Sequence, residues 1–197
     1  MSSSPGPKRA TYQDLLALPD NVVGEIVAGE LVVSPRPAPA HATATSALGA
    51  DLNQAFHRKP GGPKGPGGWW ILDEPELHFH GDVLVPDLAG WRRERMAALP
   101  STAAFELPPD WVCEVISPSS VRHDRMRKLP VYAREQVAWT WLVDPIARTL
   151  EVFRLDAAGH WVLLQVFGED SGESVRVQPF EAIELDLARW WEGQAPG

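Results

Sequence analysis

Three side chains in the middle of the chain have the types and spacing for phosphate chemistry. Asp87 follows Pro86 at the end of an alternating run, Asp82-Val-Leu-Val-Pro86. Glu114 lies inside the apolar run Trp111-Val-Cys-Glu-Val-Ile116, and Lys128 sits in the basic segment Val121-Arg-His-Asp-Arg-Met-Arg-Lys128. A carboxylate inside such a run costs several kcal/mol unless something pairs with it. Two acids sharing a divalent cation would meet that cost, polarise a scissile phosphate and acidify a water. A nearby lysine would orient that water and offset charge as the transition state forms. Each residue also has a plainer reading. Asp87 could cap a turn, Glu114 could pair with Arg93 or Arg125, and Lys128 could belong to a solvated basic face with Arg122, Arg125, Arg127 and Arg134.

The elements that must position these groups are short. Thr11 to Leu18 reads as a capped helix, with Thr11 and Asp14 as the reciprocal cap. Val22–Val27 and Leu31–Val33 read as a hairpin, followed by the proline-rich connector 34–40. From His41 to His57, Ala44, Ala47, Leu48, Leu52, Ala55 and Phe56 recur at three- and four-residue spacings, the mark of one helical face. The segment 59–68 is glycine- and proline-rich and predicts a mobile, mildly basic surface loop. Strands are expected at 69–72, 76–79, 82–85, 111–116, 139–143, 149–155 and 160–167, with a stub at 175–177. Helices are expected at 92–99, between 121 and 136, and at 186–191. The unbroken apolar character of 111–116 predicts a central strand covered on both faces. Pro130 would break a helix begun at Asp124, so that helix should start nearer Arg127 or kink after Lys128, leaving Lys128 beside a helix N-terminus.

Composition narrows the function. The chain has 197 residues and a net charge of −8. Residues 1–10 read as a disordered lead and 11–192 as a single domain. Eight acids face two arginines from Asp156 onward, whereas residues 86–135 carry eight Arg or Lys against seven acids. Such a chain is no general nucleic-acid coat protein, but it can touch a phosphodiester locally. No apolar run approaches ~20 residues, so a membrane span is not expected. The lone Cys113 predicts a buried thiol, and a cytoplasmic location is consistent with it. Of nine tryptophans, only Trp91 invites a base-stacking role; Trp111, Trp139 and Trp141 read as core.

The stretches VVGEIVAGELVVSP, VPDLAGWRRERM, WVCEVISPSS, DRMRKLPVYA and WLVDP, in that order, resemble the Uma-two family of restriction-endonuclease-like proteins. The resemblance runs from Thr11 to Leu187. It implies a PD-(D/E)xK nuclease fold, α/β or α+β, with a mixed central sheet flanked by helices. It further implies a Mg²⁺- or Mn²⁺-dependent endonuclease acting on DNA and leaving a 5′-phosphate, with the possibility of a homodimer. Asp87 would be the motif aspartate, Glu114 the second acid, and the Val115 carbonyl a further metal ligand. Ile116 occupies the place of the usual lysine, so Lys128 from the following helix is the expected substitute. Glu25 would face the same site, unless it is an exposed hairpin charge. His41, Arg125 and Arg127 are candidate phosphate contacts, His41 alternatively a cap or surface residue. A non-catalytic binding or assembly module on the same scaffold is the competing reading, and a metal-free glycosidase with Asp87 and Glu114 as its acid and base is a third.

Overall fold

The computed structural model describes residues 9–62, 65–172 and 174–193. Most of the expected lead-in, and Lys64 of the glycine-rich loop, lie outside them. A short helix α1 (Tyr12–Leu16), closed by the Thr11–Asp14 capping box, leads into the hairpin β1 (Val22–Val27) and β2 (Glu30–Pro35). Helix α2 (Pro39–Phe56) follows the proline-rich connector, with Pro39 at its start where the missing N–H is harmless. Then come β3 (Trp69–Asp73), β4 (Glu76–Phe79), β5 (Asp82–Leu84), β6 (Leu88–Arg92), β7 (Ala104–Phe105) and β8 (Trp111–Val115).

A continuous helical stretch follows: α3 (Val121–His123), a π-helical turn Asp124–Lys128, and α4 (Leu129–Arg134). Strands β9 (Trp139–Asp144), β10 (Thr149–Leu155) and β11 (Trp161–Phe167) complete the sheets, and a 3₁₀ turn covers Leu187–Trp191.

Two mixed sheets result. One has the order β2-β1-β5-β4-β7, the other β11-β10-β9-β8-β6-β3. In the second, β8 runs parallel to β9 and antiparallel to β6. Strand β8 is therefore central, and its side chains alternate between two cores. Trp111, Cys113 and Val115 join α2 and the C-terminal segment (Phe180, Trp190). Val112 and Ile116 join the core that also contains Leu77 and Leu84 of the first sheet and Leu129, Val131 and Tyr132 of α4. Glu114, with the same parity as Val112, is thereby aimed at α4. The expected mixed α+β architecture is what the chain adopts, and Cys113 is a buried free thiol.

Two expectations are corrected, and two local features were not foreseen. Residues 92–99 form no helix: Arg92 ends β6, and only one turn follows, with Met96 N–H donating to Arg92 O at 3.0 Å. Strand β6 itself lacks β-branched residues and carries Gly90, so its pattern is silent. It forms because Ile71, Trp69 and Trp111 close over Gly90, where a Cβ would lie 3.1–3.2 Å from their side chains. Within 59–68, Gly65 and Gly67 serve close approach to the backbone of Ala55 and Lys59. Gly67 has φ +64° and a Cβ there would stand 2.3 Å from Lys59 O, while its N–H donates to Ala55 O at 3.0 Å. Trp91 is fully buried, stacked on Phe105 with its indole N–H on Leu107 O, which removes it as a base-stacking platform.

No helix among the described residues is long and apolar enough to cross a membrane.

Candidate active site

Leu88 faces Cys113 and Ala89 faces Val112 across β6–β8, so one further step of the register brings Asp87 opposite Glu114. Pro86 ends the preceding strand pairing, and Asp87 sits in the break between β5 and β6. Its Oδ2 accepts the Val115 N–H at 2.7 Å, and its Oδ1 lies 3.1 Å from His41 Nε2. Both acids line a cavity of about 590 Å³ together with Glu25, His41, Val115, His123, Asp124 and Lys128. The proline-rich connector and the Ser117–Ser120 turn form its walls.

Lys128 is the hub. Its Nζ lies 2.8 and 2.9 Å from the two oxygens of Glu114, 3.0 Å from Glu25 Oε1 and 3.2 Å from Val85 O. Asp124 stands 4.0 Å away. Three ammonium donors thus serve Glu114, Glu25 and a carbonyl. The lysine side chain is only 4% exposed. Burial pushes its pKa down, but Glu114, Glu25 and Asp124 together hold it above the ordinary lysine value.

Neither Arg93 nor Arg125 pairs with Glu114. The second partner is Tyr132, whose hydroxyl donates to Glu114 Oε1 at 2.5 Å. Sequence reasoning passed over this tyrosine, although it stands four residues after Lys128 and hence on the same helical face.

The carboxyls are not equivalent. Glu25, on β1, accepts the Val85 N–H at 2.7 Å and faces Lys128. Burial pushes its pKa up, yet the lysine charge, assisted by that amide, brings it down to about 2. His123 Nε2 comes within 3.3 Å of Glu25 Oε2, but without the alignment of a hydrogen bond. Burial raises Glu114 well above the usual carboxylate range and raises Asp124 too, because Lys128 cannot offset all the negative charge around it. For His41 burial acts downward, and the hydrogen bond and charge of Asp87 outweigh it, leaving the ring above its ordinary value.

The helix carrying Lys128 accommodates Pro130 by widening. Leu129 N–H donates to Asp124 O five residues back, so the proline enters at the first turn of α4, past the point where it would clash. The expected late start or kink is realised as this π turn. The lysine does not stand at a free helix N-terminus.

Arg125 and Arg127 do not line the cavity. Arg125 Nη2 lies 2.6 Å from Glu151 on β10, and Arg127 Nη2 lies 3.0 Å from Glu30 in the hairpin. His41 and Glu25 do line it.

The donor set suits a hard divalent cation in kind: carboxylates, with more of them than Lys128 neutralises. Burial and the neighbouring acids raise the pKa of Glu114 and Asp124, and a bound cation would oppose that shift. In this arrangement both oxygens of Glu114 are engaged. Among the described residues, no group of three or more His, Cys, Asp or Glu stands ready around one metal position.

The family model Uma2, described as "Putative restriction endonuclease", matches residues 10–188. No curated protein matches significantly. Among solved structures, the fold is similar to one titled "a putative nuclease belonging to DUF820" from Anabaena variabilis ATCC 29413. That match has a TM-score of 0.73 at 20% identity, over 92% of this chain and 97% of the other.

Proposed function

The chain belongs to the Uma2 family, and on that premise we propose that it is a divalent-metal-dependent DNA endonuclease whose site is the cavity around Asp87, Glu114 and Lys128. One observation carries the reading: two acids opposite each other on neighbouring strands open, with a buried lysine, into a single cavity. Asp87 and Glu114, with the carbonyl of Val115, would hold Mg²⁺ or Mn²⁺. Such an ion supplies Lewis acidity to the scissile phosphate and lowers the pKa of the attacking water.

The protein's own groups do the rest. Asp87 is fixed by the Val115 amide and His41, so its free lone pairs have a defined direction. Glu25 stays ionised through neutral pH and anchors Lys128. When Glu114 gives up one of its contacts to Lys128, an ammonium donor becomes available to orient the water. The same charge offsets the negative charge growing on the phosphoryl oxygens. His41 stands at the cavity wall against Asp87. The water gives one proton to bulk solvent as its oxygen bonds to phosphorus, the bond to the 3′-oxygen breaks, and that oxygen takes a proton from solvent and leaves as a hydroxyl. The products carry a 5′-phosphate and a 3′-hydroxyl. Arg125 and Arg127 would contact flanking phosphates only by leaving Glu151 and Glu30. Two copies acting together would cut both strands.

Plasmid nicking tests this. Supercoiled DNA with Mn²⁺ should be nicked by the wild type, and EDTA, Asp87→Asn or Glu114→Gln should each abolish it. Nicking that survives both substitutions refutes the assignment. An independent readout is thermal stability: Mn²⁺ should raise the melting temperature of the wild type and leave that of Asp87→Asn unchanged. The saturation of Glu114 by Lys128 and Tyr132 favours one other reading, a non-catalytic binding module; it predicts DNA binding without nicking and no Mn²⁺-dependent stabilisation.

A further inference from the structure

The arginines outside the cavity are handled in two ways. Arg95, Arg134, Arg148, Arg176 and Arg189 each lie against a carboxylate, which cancels the charge where it stands. Around the edge strand β3, four cations have no such partner among the described residues: Arg58, Lys59, Arg92 and Arg93.

Backbone contacts bring them together along one sheet edge, where Arg92 and Arg93 rest on rings of opposite faces. Gly68 N–H donates to Arg58 O at 2.7 Å, Arg93 N–H donates to Gly68 O at 2.9 Å, and Arg92 is paired across the strands with Trp69. Nearby acids do little to offset them. Asp110 is committed to Arg95 at 2.9 Å and to the Arg92 amide at 2.8 Å, which leaves the exposed Glu94.

Tryptophans hold the guanidinium groups in place. Arg92 Cζ lies 4.9 Å from the Trp69 ring centroid and Arg93 Cζ 3.3 Å from that of Trp70. Arg93 Nε also donates to Trp69 O at 3.0 Å. Arg58 is turned back on the end of α2, its guanidinium donating to Gln54 O, so Arg92 and Arg93 carry the surface. A ring under a guanidinium orders it without neutralising it, and leaves N–H donors for an acceptor from outside. In a chain of net charge −8, a cluster of fixed, uncancelled cations is shaped for an anionic polymer.

We propose that this arginine–tryptophan surface is a second anchoring point for the nucleic-acid substrate, gripping the phosphate backbone of a DNA duplex away from the site of cleavage. Asp87 and Arg92 are five residues apart along nearly extended chain, roughly 17 Å at ~3.4 Å per residue. That span corresponds to about five base pairs of a duplex. The identity of the polymer rests on the nuclease reading; the surface itself does not.

The test is binding of a short fluorescent DNA duplex by anisotropy, in EDTA and over a range of KCl, with the full chain. Arg92→Glu combined with Arg93→Glu should weaken binding at low salt by about tenfold or more. The milder Arg92→Ala/Arg93→Ala pair should lower the slope of log K against log salt by about one per cation removed. Arg154→Ala, on β10, should bind like the wild type. Circular dichroism and melting temperature establish that the variants are folded, and the alanine pair serves if the glutamate pair is not.

Binding that is unchanged in both pairs overturns the proposal, as does a wild type that binds no duplex at any salt or binds only an acidic peptide. A wild type that fails to nick DNA, yet binds it through Arg92 and Arg93, would remove the catalytic reading and leave this surface standing.

Discussion

Lys128 and Arg93 are both cations fixed by the fold, and the fold fixes them by opposite means. Lys128 is buried among Glu25, Glu114 and Asp124, with its three donors spent on protein acceptors. Arg93 lies on the face of Trp70, half-exposed, with one donor on a backbone carbonyl. The first arrangement consumes charge to make several buried carboxyls tolerable. The second preserves charge for something outside. The difference teaches that burial plus acids makes a cation part of the structure, whereas an aromatic support keeps it available.

Removing the buried partner should have the largest effect. Lys128→Met would leave Glu25 and Glu114 facing each other without a counter-charge and should cost about 3–5 kcal/mol of unfolding free energy. Urea denaturation measures it, and a loss below ~1 kcal/mol would mean that the lysine is not what holds the acids.

Acid should undo the same contact. Glu25 is held at about 2 against an ordinary 4.5. A carboxyl whose folded pKa is depressed contributes stability that is complete above its unfolded value and lost as pH falls through the folded one. The contribution, on the order of 3 kcal/mol, should therefore fade as pH drops from 4.5 to about 2. Comparing wild type with Glu25→Gln across that window checks the sign: the gap between them should shrink toward the acid end, and a flat gap would deny Lys128 its hold on Glu25.

Tyr132→Phe deletes only the hydroxyl on Glu114 and should cost ~2 kcal/mol, the scale of leaving a buried polar atom short of a partner. It should also tighten Mn²⁺ binding measured by calorimetry, because Glu114 Oε1 is then held by Lys128 alone. At the other pole, Arg93→Ala should change stability by less than ~1 kcal/mol, since a half-exposed cation–π contact contributes little. A loss equal to that of Lys128→Met would erase the contrast altogether.

Much of this was legible in the residues, and the reasons differ by element. Strand β8 announced itself because its run of Trp, Val, Cys, Val and Ile is interrupted by one acid. Helix α2 was visible from its apolar spacing, and residue type grouped Asp87, Glu114 and Lys128 before the family likeness or any geometry did. Tyr132 went unnoticed because a tyrosine in an apolar helix reads as core. Its fourfold spacing from Lys128 was the available signal. The course of β6 was hidden because Leu-Ala-Gly-Trp-Arg has no strand signature of its own. Contacts distant in sequence, from Trp69, Ile71 and Trp111, determine it. The basic surface at β3 was equally unreadable, since it depends on which rings the arginines find across the strands.

The π turn at Asp124–Lys128 amounts to one surplus residue in an otherwise ordinary helix. Each residue of an α-helix advances the rotation by about 100°. Excising a single position such as the exposed Met126 would therefore restore a regular ladder. The same excision would swing Lys128 and Tyr132 out of phase with His123 and the hairpin. Helical content by circular dichroism would stay level while the whole carboxylate cluster lost its counter-ion. Length, rather than any side chain within the turn, is what aims this site.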